Sequence, residues 1–192
     1  MNRRLMMVLG LLFGVLLVVG CGPAWQVVTQ AVPNPMVGKN GFAVLPVDFA
    51  GLRVGDKNEA DWMAEKDQET RTSWDGDKKG MNEQFQSELI SQAGDEGIQV
   101  VPGPAQQNFV VAAKITWLEP GVYTGFVNID SEMEMTVRIT TPDGTPIDEI
   151  MVKTKYAASM IDAASGARLR HCAENLGAIV ADYLKSRVKP DA

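Results

Sequence analysis

The feature that most restricts the fold is an alternating segment followed by a tight turn and a second alternating segment. Met133, Met135, Val137 and Ile139 interleave with Glu132, Glu134, Thr136 and Arg138, the period-two pattern of a strand with one buried face. Pro142, Asp143, Gly144 and Thr145 come next, and glycine accepts the positive φ that tight hairpin turns require. A symmetric loop centred on Asp143 and Gly144 sets Arg138 opposite Glu149, Glu134 opposite Lys153 and Glu132 opposite Lys155. Each opposite-charge pair is worth about 0.2–1 kcal/mol. The same register places Met135 beside Val152 and Val137 beside Ile150 on the inner face, so a slip of one residue loses both sets.

Other elements arrange themselves around this hairpin. Residues 42–49 form a continuous apolar run of the kind found in a strand covered on both faces, with Pro46 confined to an edge, a bulge or the strand's end. Gly51 and Gly55 then mark a turn. The polar stretch 59–93 contains no proline and suits helix; Met63, Trp74, Met81 and Phe85 share one stripe, and Gly76 and Gly80 weaken its middle, which predicts two pieces over 59–74 and 80–93. Residues 98–101 and 108–118 read as strands. Leu169, Cys172, Ala173, Leu176, Ile179, Val180, Tyr183 and Leu184 then follow helical spacing, with Ser165 as a candidate N-cap. The order strand, helix, four strands, helix predicts a single α+β domain: a mostly antiparallel four- to five-stranded sheet with helices packed on one face.

The N-terminus carries a different message. Asn2, Arg3 and Arg4 precede an apolar run over 5–19, too short to cross a bilayer and of the length of a secretory leader. Val18, Val19, Gly20 and Cys21 follow, a sequence that resembles the lipobox of bacterial lipoproteins, in which the thiol is acylated and the chain is cut before it. That resemblance implies a signal peptide over 1–20 and a lipidated Cys21, with the membrane reached through the lipid anchor. Gly22, where an inner-membrane retention signal would resemble Asp, implies the periplasmic face of an outer membrane. Residues 21–40, with Pro23, Pro33 and Pro35, read as a flexible tether. Two roles are open to Trp25: an interfacial anchor at headgroup level or a mobile linker side chain. The domain is expected over 41–188, with 189–192 as a tail.

Charge and cysteine count remove several classes. The full chain carries a formal −6, and losing Arg3 and Arg4 with the leader makes the remainder more acidic still, so no basic face is expected for nucleic acid. The acid excess concentrates in 56–97, and 56–80 reads as a polar, acidic insertion. Committing Cys21 to lipid leaves Cys172 without an intramolecular partner, either a small buried apolar side chain or one half of an intermolecular disulfide. With a single histidine, His171, and one thiol, no metal site and no cofactor are expected. His171 falls on the solvated side of its helix with Glu174, Asn175, Ala178 and Asp182, away from Cys172, which disfavours nucleophilic catalysis. Trp62, Met63, Trp74 and Met81 are the candidate partner surface, the alternative being that they cover an edge of the sheet.

Taken together, the lipobox, the proline-containing tether, a first strand reading Phe42, Ala43, Val44, Leu45, Pro46, Val47, a strand opening with Val110 and Val111, the Asp143-Gly144 hairpin and a closing helix with Leu176-Gly177 and Ala181, Asp182, Tyr183, Leu184 resemble a group of periplasmic domains. That group includes the curli secretion lipoprotein, the activator lipoprotein of penicillin-binding proteins and the N-terminal domain of the Tol-Pal translocation protein. The resemblance implies a non-catalytic interaction or assembly module of the cell envelope, with an envelope protein partner or self-association. A second expectation is a small-molecule or lipid-binding lipoprotein, with Met133, Met135, Met151 and Met160 lining a groove. A hydrolase is the third.

Overall fold

The computed structural model describes residues 24–190. The chain forms one α+β domain, and the hairpin sits at its centre. Strand β9 (Ser131–Thr140) pairs with β10 (Pro146–Tyr156) in the expected register: Glu149 faces Arg138, Ile150 faces Val137, Val152 faces Met135 and Lys153 faces Glu134. Gly144 takes φ +88° at the turn. Of the three charge pairs, Arg138 with Glu149 (2.5 Å) and Glu134 with Lys153 (3.0 Å) form. The third does not: Lys153 also reaches Glu132 at 3.4 Å, and Lys155 turns to Asp130 at 2.8 Å.

The sheet is larger and more mixed than a four- to five-stranded antiparallel one. Its main path runs β1 (Trp25–Gln30), β10, β9, β6 (Phe109–Glu119), β2 (Gly41–Val44), β5 (Gln99–Pro102). β3 (Arg53–Val54) and β4 (Lys57–Asn58) form a short ribbon beside the end of β6. The β1, β10, β9 and β6 half is antiparallel, whereas β2 pairs parallel with both β5 and β6. The cause is the helical segment between β2 and β5, which carries the chain back to the starting end of the sheet, as parallel pairing requires. All four residues of β2 are buried. Its ladder stops before Pro46, which has no N–H to give.

The stretch read as a tether is part of the fold over its described portion. β1 pairs along β10, and Trp25 stacks edge-on against Tyr183 with ring centroids 5.5 Å apart, so it is neither a linker side chain nor a free anchor. Met36 is fully buried. The join is polar: Asp148, 3% exposed, accepts from Tyr183 Oη (2.5 Å), Arg187 Nε (2.7 Å) and the Ala31 amide (2.9 Å). Arg187 also donates to Ala31 O. Asp148 faces inward because it shares parity with Ile150 and Val152, and its buried charge is met by a guanidinium and two neutral donors, as stability requires.

Among the described residues three helices complete the fold: α1 (Glu59–Ala64), α2 (Gln68–Asp95) and α3 (Ser165–Val188). The helix break falls at 65–67 and not at the glycines. Asn58 caps α1 by accepting from the Asp61 amide, and Asp67 caps α2 by accepting from Thr70 N–H at 2.7 Å. α2 then runs unbroken through Gly76 and Gly80; the aliphatic part of Arg170, from α3, lies against Gly80 while its guanidinium pairs with Asp77 at 2.9 Å. Ser165 is the first helical residue of α3, and the N-cap is Ala164, with no side-chain cap. α2 and α3 lie side by side in parallel over the sheet, burying Met81, Phe85, Leu89, Leu169, Leu176 and Val180 against Met133, Met135, Val137 and Val152.

Their backbones come close at Gly177. A Cβ there would stand 2.6 Å from Phe85 O and 3.0 Å from Leu89 N, both backbone atoms of α2. Gly177→Ala would gain about 1 kcal/mol of helix propensity in an exposed helix, but the backbone clash outweighs it here. The expected result is a net loss of about 1–3 kcal/mol, read as a lower urea midpoint with unchanged slope; a raised midpoint would refute the packing.

Candidate interaction surfaces

The candidate site residues distribute unevenly. Cys21 lies outside the described residues. Trp74 is 4% exposed and Met81 is fully buried, so neither forms a surface; Trp74 donates to Glu59 Oε1 and packs on Trp62 at 4.9 Å between rings. Trp62 and Met63 are half-buried against the core, and Lys66 Nζ sits 4.4 Å over the Trp62 ring. Of the four, only Trp62 and Met63 therefore reach the surface, on α1 beside β3 and β4. The four methionines do not share a groove. Met133 and Met135 lie buried beneath the helices, Met151 projects from the opposite face, and Met160 stands on a loop.

His171 is not a plain solvated side chain. Its ring stacks on Tyr156 at 4.6 Å and 11°, and Nδ1 lies 3.0 Å from a Glu174 oxygen. Tyr156 donates to Asp162 at 2.9 Å, a bond that raises the phenol's pKa, with burial adding to it. The adjacent Cys172 points the other way, into the core, where burial pushes its thiol up to about 12. The cluster thus brings an imidazole, a phenol and two carboxylates together, with the Cys172 thiol turned away from it. Among the described residues no group of three or more His, Cys, Asp or Glu is placed to hold a metal ion.

Two surfaces remain. The first is the sheet face opposite the helices, where Lys114, Thr116, Glu132, Glu134, Thr136, Glu149 and Lys153 stand half-buried or exposed across β6, β9 and β10. Its charges pair with each other: Lys153 with two glutamates, Arg138 with Glu149, Lys114 with Asp48. The face carries shallow open grooves of about 360–390 Å³, one along Ala112, Lys114, Thr136 and Arg138 and another along Trp25, Glu134, Met151 and Lys153.

The second lies at the end of the molecule where β10 finishes. There a small hairpin, β7 (Val122–Tyr123) with β8 (Asn128–Ile129), and the 157–164 segment are fastened to one buried arginine. Arg168, 1% exposed, donates to Pro120 O (3.1 Å), Asp162 O (2.8 Å), Ala163 O (2.6 Å) and Ser131 Oγ (3.0 Å). None of these acceptors is a carboxylate. The sequence offers a signal for it, because Arg168 stands one turn before Cys172 on the apolar stripe, but helical spacing alone does not tell a buried guanidinium from one that snorkels outward.

No protein-family model matches the chain, and no curated protein matches it. Solved structures do. A PelC dodecamer from Paraburkholderia phytofirmans matches with 9% identity and a TM-score of 0.45, over 82% of this chain and 96% of that one. The hypothetical protein CT253 from Chlamydia trachomatis matches with 12% identity and a TM-score of 0.43, over 76% and 98% of the two chains.

Two outcomes are expected. Arg168→Leu strands the carbonyls of Asp162 and Ala163, each costing about 1–3 kcal/mol when left buried and unbonded, and leaves Pro120 O held by Ser131 Oγ alone, so amide exchange should quicken across 157–163 and, to a lesser degree, 120–130; unchanged exchange there would rule out the clamp. Cys172 gives a pH dependence. Its folded pKa of about 12 lies above the ordinary thiol value of 9.0, so its contribution is intact below pH 9 and is lost as pH rises toward 12, with a slope of about 1.4 kcal/mol per pH unit. Tyr183, raised first by burial and then by its bond to Asp148, adds to the fall at the alkaline end. Urea unfolding of wild type and Cys172→Ala across pH 8–11 checks this, the variant showing the shallower fall.

Proposed function

We propose that the chain is a bacterial envelope lipoprotein, acylated at Cys21 and held at the periplasmic face of the outer membrane, whose body acts as a non-catalytic docking or assembly module. The observation that carries this is the uncovered face of the sheet. A broad surface of alternately signed, mutually paired charges suits a protein partner of complementary pattern, for which such charges set orientation and specificity. A small ligand instead takes a largely enclosed apolar cavity, and the grooves here are open. The exposed outer edge of β1 offers a second route, pairing with another strand or a second copy. The buried Cys172 thiol, with its raised pKa, and the Tyr156 hydroxyl, engaged by Asp162, favour docking over chemistry. The lipobox and the periplasmic-domain resemblance supply the address.

Two experiments test the proposal. Globomycin should arrest processing of the full-length chain, with Cys21→Ser as the control; unaffected processing would remove the anchor. The acylated protein drawn from an envelope extract should bring down a stoichiometric protein partner or further copies of itself. The pair Arg138→Glu and Lys153→Glu should weaken that capture at least tenfold. The reversals set like charges opposite one another across the hairpin, at about 0.2–1 kcal/mol per pair, so a thermal melt of the double variant checks that the fold survives. Co-purified lipid or metabolite in place of protein would favour the ligand-binding alternative, and a turnover lost on His171→Ala would favour a hydrolase.

A further inference from the structure

Among the described residues, Phe126, Met160 and Ile161, three large apolar side chains each at least 80% exposed, collect on the two loops that Arg168 clamps. On the hairpin between β7 and β8, Phe126 is 100% exposed and Val127 and Ile129 are about half exposed; on the 157–164 segment, Ile161 is 93% and Met160 80% exposed. These loops are held in place. Besides the Arg168 bonds, Ser131 Oγ donates to Pro120 O at 2.6 Å and the Ala158 amide donates to Asp130 Oδ1 at 3.0 Å, so both loops rest on the start of β9. A group of large apolar side chains presented on a fixed support marks a surface that something covers.

Its charge and its position both indicate what. Residues 121–129 and 157–161 contain no charged side chain. The acids that follow them are engaged: Asp130 by Lys155 at 2.8 Å and Asp162 by Tyr156 at 2.9 Å. A tip of this kind can enter an interfacial layer without burying an unpaired charge, which would be costly. β1 runs antiparallel to β10, with Trp25 opposite Val152 and Gln30 opposite Asp148. The N-terminal end of β1 at Trp25 therefore lies toward the end of β10 that leads from Val152 to Tyr156 and to these same loops. Cys21 is four residues before Trp25, so its thiol is tethered within about 14 Å of chain.

We infer that this end of the molecule is a membrane-contact face, with Phe126, Val127, Met160 and Ile161 seated in the headgroup and upper acyl region of the bilayer. The inference rests on the Cys21 anchor for what holds the chain at the membrane. The loops add a second point of contact, which fixes the domain's tilt and turns the uncovered sheet face sideways into the periplasm. Because the tip is neutral and the chain acidic, contact depends on apolar insertion and not on anionic lipid.

The test uses the full-length chain, produced with its leader, purified from membranes and reconstituted in phosphatidylcholine and phosphatidylethanolamine vesicles. An environment-sensitive fluorophore is placed at Phe126→Cys, at Ile161→Cys and, at the opposite end of the molecule, at Pro142→Cys; the chain without an added cysteine supplies the background. All three positions lie on the exposed surface, so folding should be retained, and a thermal melt checks it. Labels at 126 and 161 should be blue-shifted and quenched by nitroxide lipid at least about twofold more than the label at 142. Equal quenching at all three sites overturns the inference. A blue shift without lipid quenching also overturns it, because a second copy of the chain then covers the loops. Mass spectrometry of the same preparation separates this from the anchor: quenched loops with a bare Cys21 retire the lipobox alone, and an acylated Cys21 with unquenched loops retires the contact face alone.

Discussion

The β9–β10 register is the constraint on which the other contacts depend. It sends Met133, Met135, Val137, Ile150 and Val152 under the helices and Glu134, Arg138, Glu149 and Lys153 to the opposite face. Because side-chain direction in a strand has period two, shifting the pairing by one residue would exchange these sets and place carboxylates beneath α3. The irregularity between Pro146 and Asp148 falls on the turn side of Asp148, and from Asp148 to Tyr156 the pairing is regular. Asp148 consequently points inward, to where Arg187 and Tyr183 on α3 and the Ala31 amide meet it.

Two buried polar knots then hold the opposite ends of α3. Near its C-terminus the Asp148 knot joins α3 to β10 and to the segment after β1; near its N-terminus Arg168 joins it to β9 and to the two apolar loops. Between them the contact is apolar and close, with Gly177 against the backbone of α2. The knots differ in kind. Asp148 is a charge met by an opposite charge, whereas Arg168 is a charge dispersed over carbonyls and a hydroxyl. The second arrangement leaves the loop backbones with their acceptors occupied and their side chains free to project.

The resulting body has distinct sides. The helical layer is closed and the open sheet face is charged and internally paired. The end near β10's last residue is apolar and uncharged at its tips. An anchor entering at that end would leave the charged face pointing along the membrane, accessible to a partner that shares the compartment. This arrangement links the proposed anchor, membrane contact and docking face through the direction of one strand.

Local patterns in the chain were enough to determine the hairpin, its register and two of its three charge pairs, along with the burial of β2, the stripe of α3 and the α+β class. Each of these follows from spacing within a short window: alternation, a turn glycine, helical periodicity. Tertiary structure decided what depends on residues far apart. The 24–40 stretch looked like a tether because it is proline-containing and polar, and only the free edge of β10 makes Trp25–Gln30 a strand. Trp74 and Met81 looked available for a partner until α3 and the sheet covered them. The burial of Asp148 and Arg168 is not legible in the sequence, which shows a charge without the partners that make its burial tolerable. Those partners come from 117 residues away for Asp148 and the Ala31 amide, and from 48 residues away for Arg168 and Pro120. Burial of a charge is a property of the assembled neighbourhood, so it becomes visible only when the chain has folded.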